Sequence, residues 1–397
     1  MMRSRGSSPL PSSTYAAPRG PVLGWSSFRR EAVDSLGSVD SLPHKLYTTS
    51  GRAAIYQALK LLPLNAGASV LVPSYHCPTM IAPVVLAGFR VVFYGIRPNG
   101  LPDLDSIDGS VASAGGAMIV AHYFGLPQSL AEVRAWCDAR HIALIEDCAH
   151  SFFGTAGGRP VGAWGDFATA SLSKFFPVSE AGLLASAHLG VAGASLSPAG
   201  WTAQLKGVVD VFERAAMHQR FAGINTGLRL LFKLKNARPR RRGAATTPRD
   251  DEPLENFLMR ECDMARIEHT PLLVSKVIDR MLPRGRIIAQ RQRNFARYAR
   301  HARELGSGAR ALFDRPAGPV APYVFPLWVD DSDRVYNALR TAGLPVFRWD
   351  RLWPGVPVRH DDVGPGWSQH VLQLLCHQDL ADDDIDRTAS TIRTLVS

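Results

Sequence analysis

The sequence predicts an α/β fold: a large, mostly parallel sheet covered by helices, followed by a smaller C-terminal α+β unit. Three observations predict it. Apolar runs such as "SVLVPSY", "GAMIVAHYFG" and "IALIEDC" are continuous rather than alternating, as in strands buried on both faces. Stretches with helical periodicity separate them, which is the rhythm of βαβ units. From about Val320 a short second set of strands and helices appears.

Residues 1–45 read as a flexible leader. "MMRSRGSSPLPSSTYAAPRGP" has basic residues but no apolar core before a cleavage site, unlike a secretory signal. Residues 46–260 read as the large domain. "GRAAIYQALKLL" has helical periodicity, and Ser50 stands where an N-cap belongs. "SVLVPSY" is a strand, "TMIAPVVLAG" a helix and "FRVVFYGI" a strand. "GAMIVAHYFG" is a strand, "SLAEVRAWCDARH" an amphipathic helix, "IALIEDC" a strand, and "GDFATASLS" and "GLLASA" are two more. A helical and basic insert covers about 188–252. Residues 261–397 comprise linking helices, including the long basic "RIIAQRQRNFARYARHARELG", and the small domain. In it, strand "YVFPLWV", helix "DRVYNALRTAG", strand "PVFRW" and helix "DDDIDRTASTIRTLV" follow one another.

Composition narrows the function. A chain of 397 residues that is 46% hydrophobic and 20% charged is an ordinary globular protein. No apolar run is long enough to span a bilayer. The five cysteines are scattered with no C-x-x-C pair, which argues against a disulfide framework or a zinc ribbon and for a reducing cytoplasm. No metal site is expected. The net charge of +10 is carried by arginine, since lysine occurs seven times. No helix-turn-helix, zinc finger or stacking-aromatic motif accompanies it, so nucleic-acid binding is not expected. In "GLRLLFKLKNARPRRR", Leu228, Leu231, Phe232 and Leu234 form a stripe beside Arg229, Lys233 and Lys235. Such a pattern can lie on anionic lipid; a surface loop after a packed helix is the simpler reading.

Three features carry chemistry. "TSGRAAIY" opens a helix at a glycine, where free N–H groups and the helix dipole can hold a phosphate. It is not G-x-G-x-x-G, so a dinucleotide reading lacks its fingerprint. Asp147 ends the strand "IALIED", and ligands of open parallel sheets sit at such carboxyl ends. Lys174, in "SLSKFF", follows another strand end and is flanked by Ser171 and Ser173. A phosphate cradle, an aspartate and a strand-end lysine match the needs of pyridoxal 5'-phosphate: an amine for its aldehyde, a carboxylate for its ring nitrogen, donors for its phosphate.

With these residues in place, the sequence resembles the DegT-type sugar aminotransferases, which have the fold type I aminotransferase architecture. "SGRAAIYQAL", "VPSYHCPTMIAPVVLAG" and "EDCAHSFFG…GDFATASLSKFFPVSEAG" carry the resemblance. It implies that Lys174 is the Schiff-base lysine, that Asp147 pairs with the ring nitrogen, and that Ala149 packs on one ring face. It places His150 next to the cofactor. It assigns the phosphate to Ser171 or Ser173 with the N–H groups of Arg52 and Ala53 behind Gly51. Glu180 and Gly182 match the family's Glu-Gly-Gly. Arg348 and Trp349 fall where family members contact substrate. The implied reaction moves an amino group from glutamate or glutamine to a keto sugar, nucleotide-linked, in polysaccharide or secondary-metabolite biosynthesis, within a homodimer.

Four departures stand out. Arg52 replaces the usual Thr or Ser, and either adds a charge-assisted bond to phosphate or points to solvent. The serine-to-lysine spacing is shortened. Cys77 falls where an aromatic normally stacks on the ring. The Gly-x-Asn-x-Arg stretch through which a neighbouring subunit reaches the site is not found. If the strand stays extended through Cys77, Tyr75 shares its side, so Tyr75 or Cys77 is expected to cover the ring with His76 turned away. Family dehydratases carry histidine in place of the lysine, so Lys174 argues against that reaction. A non-catalytic, cofactor-binding regulator or scaffold on the same fold is the alternative reading.

Overall fold

The computed structural model describes residues 16–34, 36–109, 116–236, 252–316 and 318–397. The basic run after Asn236 therefore lies outside the described residues, as do residues 1–15.

The strands are β1 (His44–Thr48), β2 (Ser69–Pro73), β3 (Arg90–Tyr94), β4 (Gly116–Ala121), β5 (Ile142–Asp147), β6 (Thr155–Ala156), β7 (Arg159–Pro160), β8 (Phe167–Ser171), β9 (Gly182–Ser186), β10 (Ala309–Ala311), β11 (Val324–Val329), β12 (Val346–Phe347) and β13 (Val371–Leu375). The helices are α1 (Gly51–Leu61), α2 (Pro78–Leu86), α3 (Ala131–Asp138), α4 (Trp201–Met217), α5 (Asn225–Asn236), α6 (Leu254–Glu261), α7 (Leu273–Met281), α8 (Arg284–Ala302), α9 (Ser332–Thr341), α10 (Gly364–His370) and α11 (Asp382–Val396).

Seven strands form the large sheet in the order β1-β9-β8-β5-β4-β2-β3. β3, β2, β4, β5 and β8 run parallel, whereas β9 and β1 are antiparallel to their neighbours. The parallel strands have apolar side chains on both faces. Val70, Val72, Ala117 and Ile119 pack into one core with α1 and α2, and Leu71, Met118, Val120 and Leu144 into another. Strands buried in this way need no polar alternation, so the fold class read from the sequence holds. The second sheet, β10-β11-β13-β12, is antiparallel and packs with α8, α9 and α11. Among the described residues no helix is long and apolar enough to cross a membrane.

The flexible leader is corrected over its described part. Ala17, Val22, Leu23, Val39 and Leu42 are buried. The Val22 N–H donates to Asp379 Oδ2 at 3.0 Å, and the Pro18 carbonyl bonds His377 Nε2 at 2.8 Å. Residues 16–28 thus form a strap tied to the turn after β13. A stretch with no apolar core of its own reads as a flexible leader because the strap's partners lie more than 300 residues away.

Candidate active site

The site is built at the carboxyl ends of β5 and β8, beside the start of α1. A cavity of about 300 Å³ opens there, and Asp147, Ala149, His150, Ser171, Ser173 and Lys174 all line it.

Lys174 stands in a short 3-10 turn, Leu172–Lys174, directly after β8. Phe175 and Phe176 are fully buried among Phe152 and Phe153, so the chain cannot swing out past the lysine. The Lys174 amine lies 5.3 Å from the centre of the Tyr323 ring. Burial lowers its pKa, with Asp147 acting in the opposite direction. Asp147 Oδ1 accepts from the Ala149 N–H at 2.8 Å. Burial raises the Asp147 pKa, and Lys174 works against that rise.

His150 is buried between Tyr323, 4.4 Å away centre to centre, and Trp349, 4.8 Å away. Its Nδ1 accepts from the Phe124 N–H at 3.3 Å. Phe124 holds this position with φ of 62°, a left-handed conformation that costs a non-glycine residue energy. Gly125 follows with φ of 84°, and a Cβ there would stand 2.2 Å from the Tyr323 nitrogen. The turn "HYFG" is thus moulded around His150 and Tyr323.

Ser50 N-caps α1, and its hydroxyl accepts from the Ala53 N–H at 3.3 Å. This corrects the expectation for Ala53, whose N–H is turned to the cap. Gly51 and Arg52, in the same first turn, line the cavity. Arg52 Nε also donates to the Asp263 carbonyl at 3.1 Å. Ser171 Oγ and Ser173 Oγ lie 3.4 Å apart, so both serines face the same space. Gly182 is required by packing: a Cβ would sit 2.2 Å from the Ser50 carbonyl. Glu180 lines the cavity and holds Arg266 through two bonds of 2.9 and 3.1 Å.

Two expectations are corrected here. Tyr75 does not reach the cavity. The strand ends at Pro73, and the next residues turn, so extended alternation does not apply. Tyr75 is fully buried, its hydroxyl accepts from Gln373 Nε2 at 3.1 Å, and Trp367 meets it edge-on at 5.6 Å. His76 is turned away, stacked 5.3 Å from Phe93, its Nε2 accepting from the Trp353 N–H at 2.8 Å. Cys77 lines the cavity and accepts from the Thr79 hydroxyl at 3.1 Å. Arg348, in turn, points out of the cavity. It pairs with Asp333 and with Asp350 at 2.8 Å and lies over Tyr336. Trp349 does line the cavity.

The sequence reading passed over His122, Tyr123 and Tyr323. His122 and Tyr123 line the cavity directly after β4, where the strand-end rule that found Asp147 would also have found them. His122, Glu146 and Cys148 are close enough to suggest a metal site. Glu146 does not have the capacity: it already accepts from His122 at 2.8 Å and from the N–H groups of Gly162, Trp164 and Gly165 at 2.6 to 3.1 Å.

A parallel sheet with an antiparallel edge, a small C-terminal sheet, and a cavity-lining lysine and a buried aspartate at the strand ends define a fold type I aminotransferase architecture. Residues 28–188 match the model of the DegT/DnrJ/EryC1/StrS aminotransferase family, which bears out the resemblance read from the sequence. A DegT DnrJ EryC1 StrS aminotransferase from Brucella abortus superposes with a TM-score of 0.58 over 90% of this chain and 87% of that one, at 17% identity. That likeness concerns the fold. Lipopolysaccharide biosynthesis protein RfbH of Salmonella typhimurium is 31% identical over 186 residues, 45% of this chain and 40% of that protein. A dTDP-4-dehydro-2,3,6-trideoxy-D-glucose 4-aminotransferase of Saccharopolyspora spinosa is 30% identical over 125 residues, 31% of this chain and 32% of that one. The chain thus matches less than half the length of these relatives.

Proposed function

We propose that the protein is a pyridoxal phosphate-dependent aminotransferase that moves an amino group from glutamate or glutamine to a nucleotide-linked keto sugar. The observation that carries this reading is the half-buried Lys174, set in one cavity with the buried Asp147 and the open start of α1. The residues fit the cofactor. Among the described residues no carboxylate ion-pairs with Lys174, so its amine is available to an aldehyde. Asp147 is the cavity's strand-end carboxylate for a ring nitrogen. Gly51, Arg52, Ser171 and Ser173 supply donors for a phosphate. When bound, pyridoxal phosphate supplies the electron sink that makes an amino acid's Cα–H acidic.

Each residue then has a task. Asp147 holds a proton on the ring nitrogen. Lys174 Nζ takes the proton from the donor's α-carbon; its desolvation lowers the amine's pKa, so that it is not locked in the charged form, while Asp147 works to keep it basic. Ala149, Cys77 and Trp349 bound the space left for the ring. His150, an acceptor at Nδ1, carries its proton on Nε2.

A cytoplasmic homodimer belongs to the same reading. All five cysteines are free, in keeping with a reducing compartment. Leu273, Val277 and Met281 form an exposed apolar row along α7, beside exposed Trp201 and Leu205 of α4, a face suited to a second copy. Light scattering of the purified protein tests the dimer. The function is tested by the absorbance spectrum of the cofactor-loaded protein before and after glutamate or glutamine. Loss of the aldehyde-form band with either donor supports transamination; an unchanged band with both rejects it.

A further inference from the structure

The largest fully buried side chain among the described residues is Arg291, on α8. Its guanidinium lies 4.4 Å from the centre of the Phe175 ring. Burial pulls its pKa down to about 10, which still leaves it charged at neutral pH. Among the described residues it has no carboxylate in ion-pairing distance. A buried charge is retained at a cost unless its donors are all used. Here each of its three nitrogens donates to an oxygen on a separate segment. Nη2 donates to the Lys174 carbonyl at 2.5 Å, Nη1 to the Pro322 carbonyl at 3.1 Å and Nε to Gln378 Oε1 at 3.1 Å. Gln378 in turn donates to the Phe175 carbonyl at 2.8 Å.

We propose that Arg291, together with Gln378, is a positioning residue for the Lys174 amine. The proposal rests on Lys174 being the reactive amine of the reaction above. The two carbonyls that Arg291 and Gln378 hold belong to Lys174 and the residue after it. The 3-10 turn that carries Lys174 is closed at its other end by backbone bonds from Phe175 and Phe176 to the Leu172 carbonyl. Arg291 and Gln378 fix the outgoing end. The Cα from which the lysine side chain starts is therefore fixed on both sides. Arg291 also holds Pro322, the residue before Tyr323, whose ring faces both Lys174 and His150. One guanidinium thus sets the root of the amine and the wall it lies against. A lysine could not replace it, because three acceptors in different directions need the planar fork.

The groups facing the Lys174 amine are Asp147, Cys77, His150 and Tyr323. Releasing the turn would expose the amine further to water and move its pKa back up toward the ordinary lysine range. The test uses Arg291→Lys and Gln378→Met. On the cofactor-free protein, acetic anhydride labelling of Lys174 is followed against pH by peptide mass spectrometry, with the other lysines as internal references. We expect the Lys174 midpoint to move up in Arg291→Lys, and in the same direction but less in Gln378→Met. Pyridoxal phosphate affinity should fall about tenfold in Arg291→Lys, the scale of a misplaced reacting group. An unchanged labelling midpoint in either folded variant, with only a lowered melting temperature, overturns the proposal. If Arg291→Lys does not fold, Gln378→Met alone decides. Failure of the parent reading shows separately: borohydride reduction of the loaded wild type would then leave Lys174 unmodified.

Discussion

Glu146 and Asp147 are neighbours on one strand, both buried, and they belong to two different regions of the molecule. Glu146 faces the turn at 162–165. His122 and three backbone N–H groups point at it. Burial alone would raise its pKa, but the His122 bond and these N–H groups bring it below the ordinary carboxylate value. Asp147 faces the cavity and accepts one backbone N–H. Burial wins there, and its pKa stands above the ordinary value. The same chemical group is structural in one region and available in the other. What differs is how many donors the surrounding chain has committed to it.

The largest effect expected from breaking this contrast comes from Lys174, which belongs to the cavity. Lys174→Met should lower transamination by about 10⁴-fold while leaving the urea midpoint unchanged or raised, because a partly desolvated amine is replaced by an apolar chain. A stopped reaction together with a collapsed urea midpoint would instead place Lys174 in the structural region. Glu146→Ala should give the reverse pattern. It strands three buried N–H groups and His122, and should destabilise the fold by about 4 kcal/mol in urea denaturation. If Glu146→Ala is as stable as wild type, the turn at 162–165 does not depend on it.

Asp147→Asn comes next. Turnover should fall about 10²-fold, with little loss of stability, since the residue makes few bonds in the folded chain. Turnover within twofold of wild type would separate Asp147 from the reaction. The two acids should also differ in how stability responds to pH. Glu146 has a lowered pKa in the fold, so its contribution is complete above the ordinary carboxylate range and is lost as pH falls through its folded pKa. Asp147 has a raised pKa, so its charge opposes folding near neutrality. That penalty fades as pH falls through its folded pKa toward the ordinary value. Subtracting Asp147→Asn from wild type should therefore give a stability difference that rises on acidification. A difference that falls would reverse the assignment.

The smallest effect belongs to Arg52. Arg52→Ala should weaken pyridoxal phosphate binding about fivefold, the scale of one partly exposed charge-assisted bond. An unchanged affinity, measured by titration at moderate salt, would leave Arg52 to its bond with the Asp263 carbonyl.

Much of the fold and part of the site were legible along the chain because they depend on local pattern. Continuous apolar runs between helical stretches located β2, β4 and β5, since a strand buried on both faces has no polar alternation to disguise it. Asp147 was legible because a charged residue that closes such a run has to stand at a strand end, and Lys174 because it follows the end of β8 by one short turn. Ser50 was legible as a cap because capping is settled within a few residues. Tyr75 faces away from the cavity because the chain bends beyond Pro73, where strict alternation along an extended strand would have turned it in. Arg348 was misread because its partners, Asp333 and Asp350, leave no mark on a motif.

The sequence by itself determined the parallel sheet, the order of its elements and the pair Asp147 and Lys174, all consequences of periodicity and of polar residues next to apolar runs. Only the tertiary structure decided which of two adjacent acids would be consumed by backbone donors. It alone fastened residues 16–28 to the turn at 377–379, turned Tyr75 inward, and brought Arg291 to the Lys174 carbonyl across 117 positions. The physical reason is that hydrogen-bond satisfaction and burial are properties of surroundings, and the surroundings of each of these groups are supplied by segments far away in the chain.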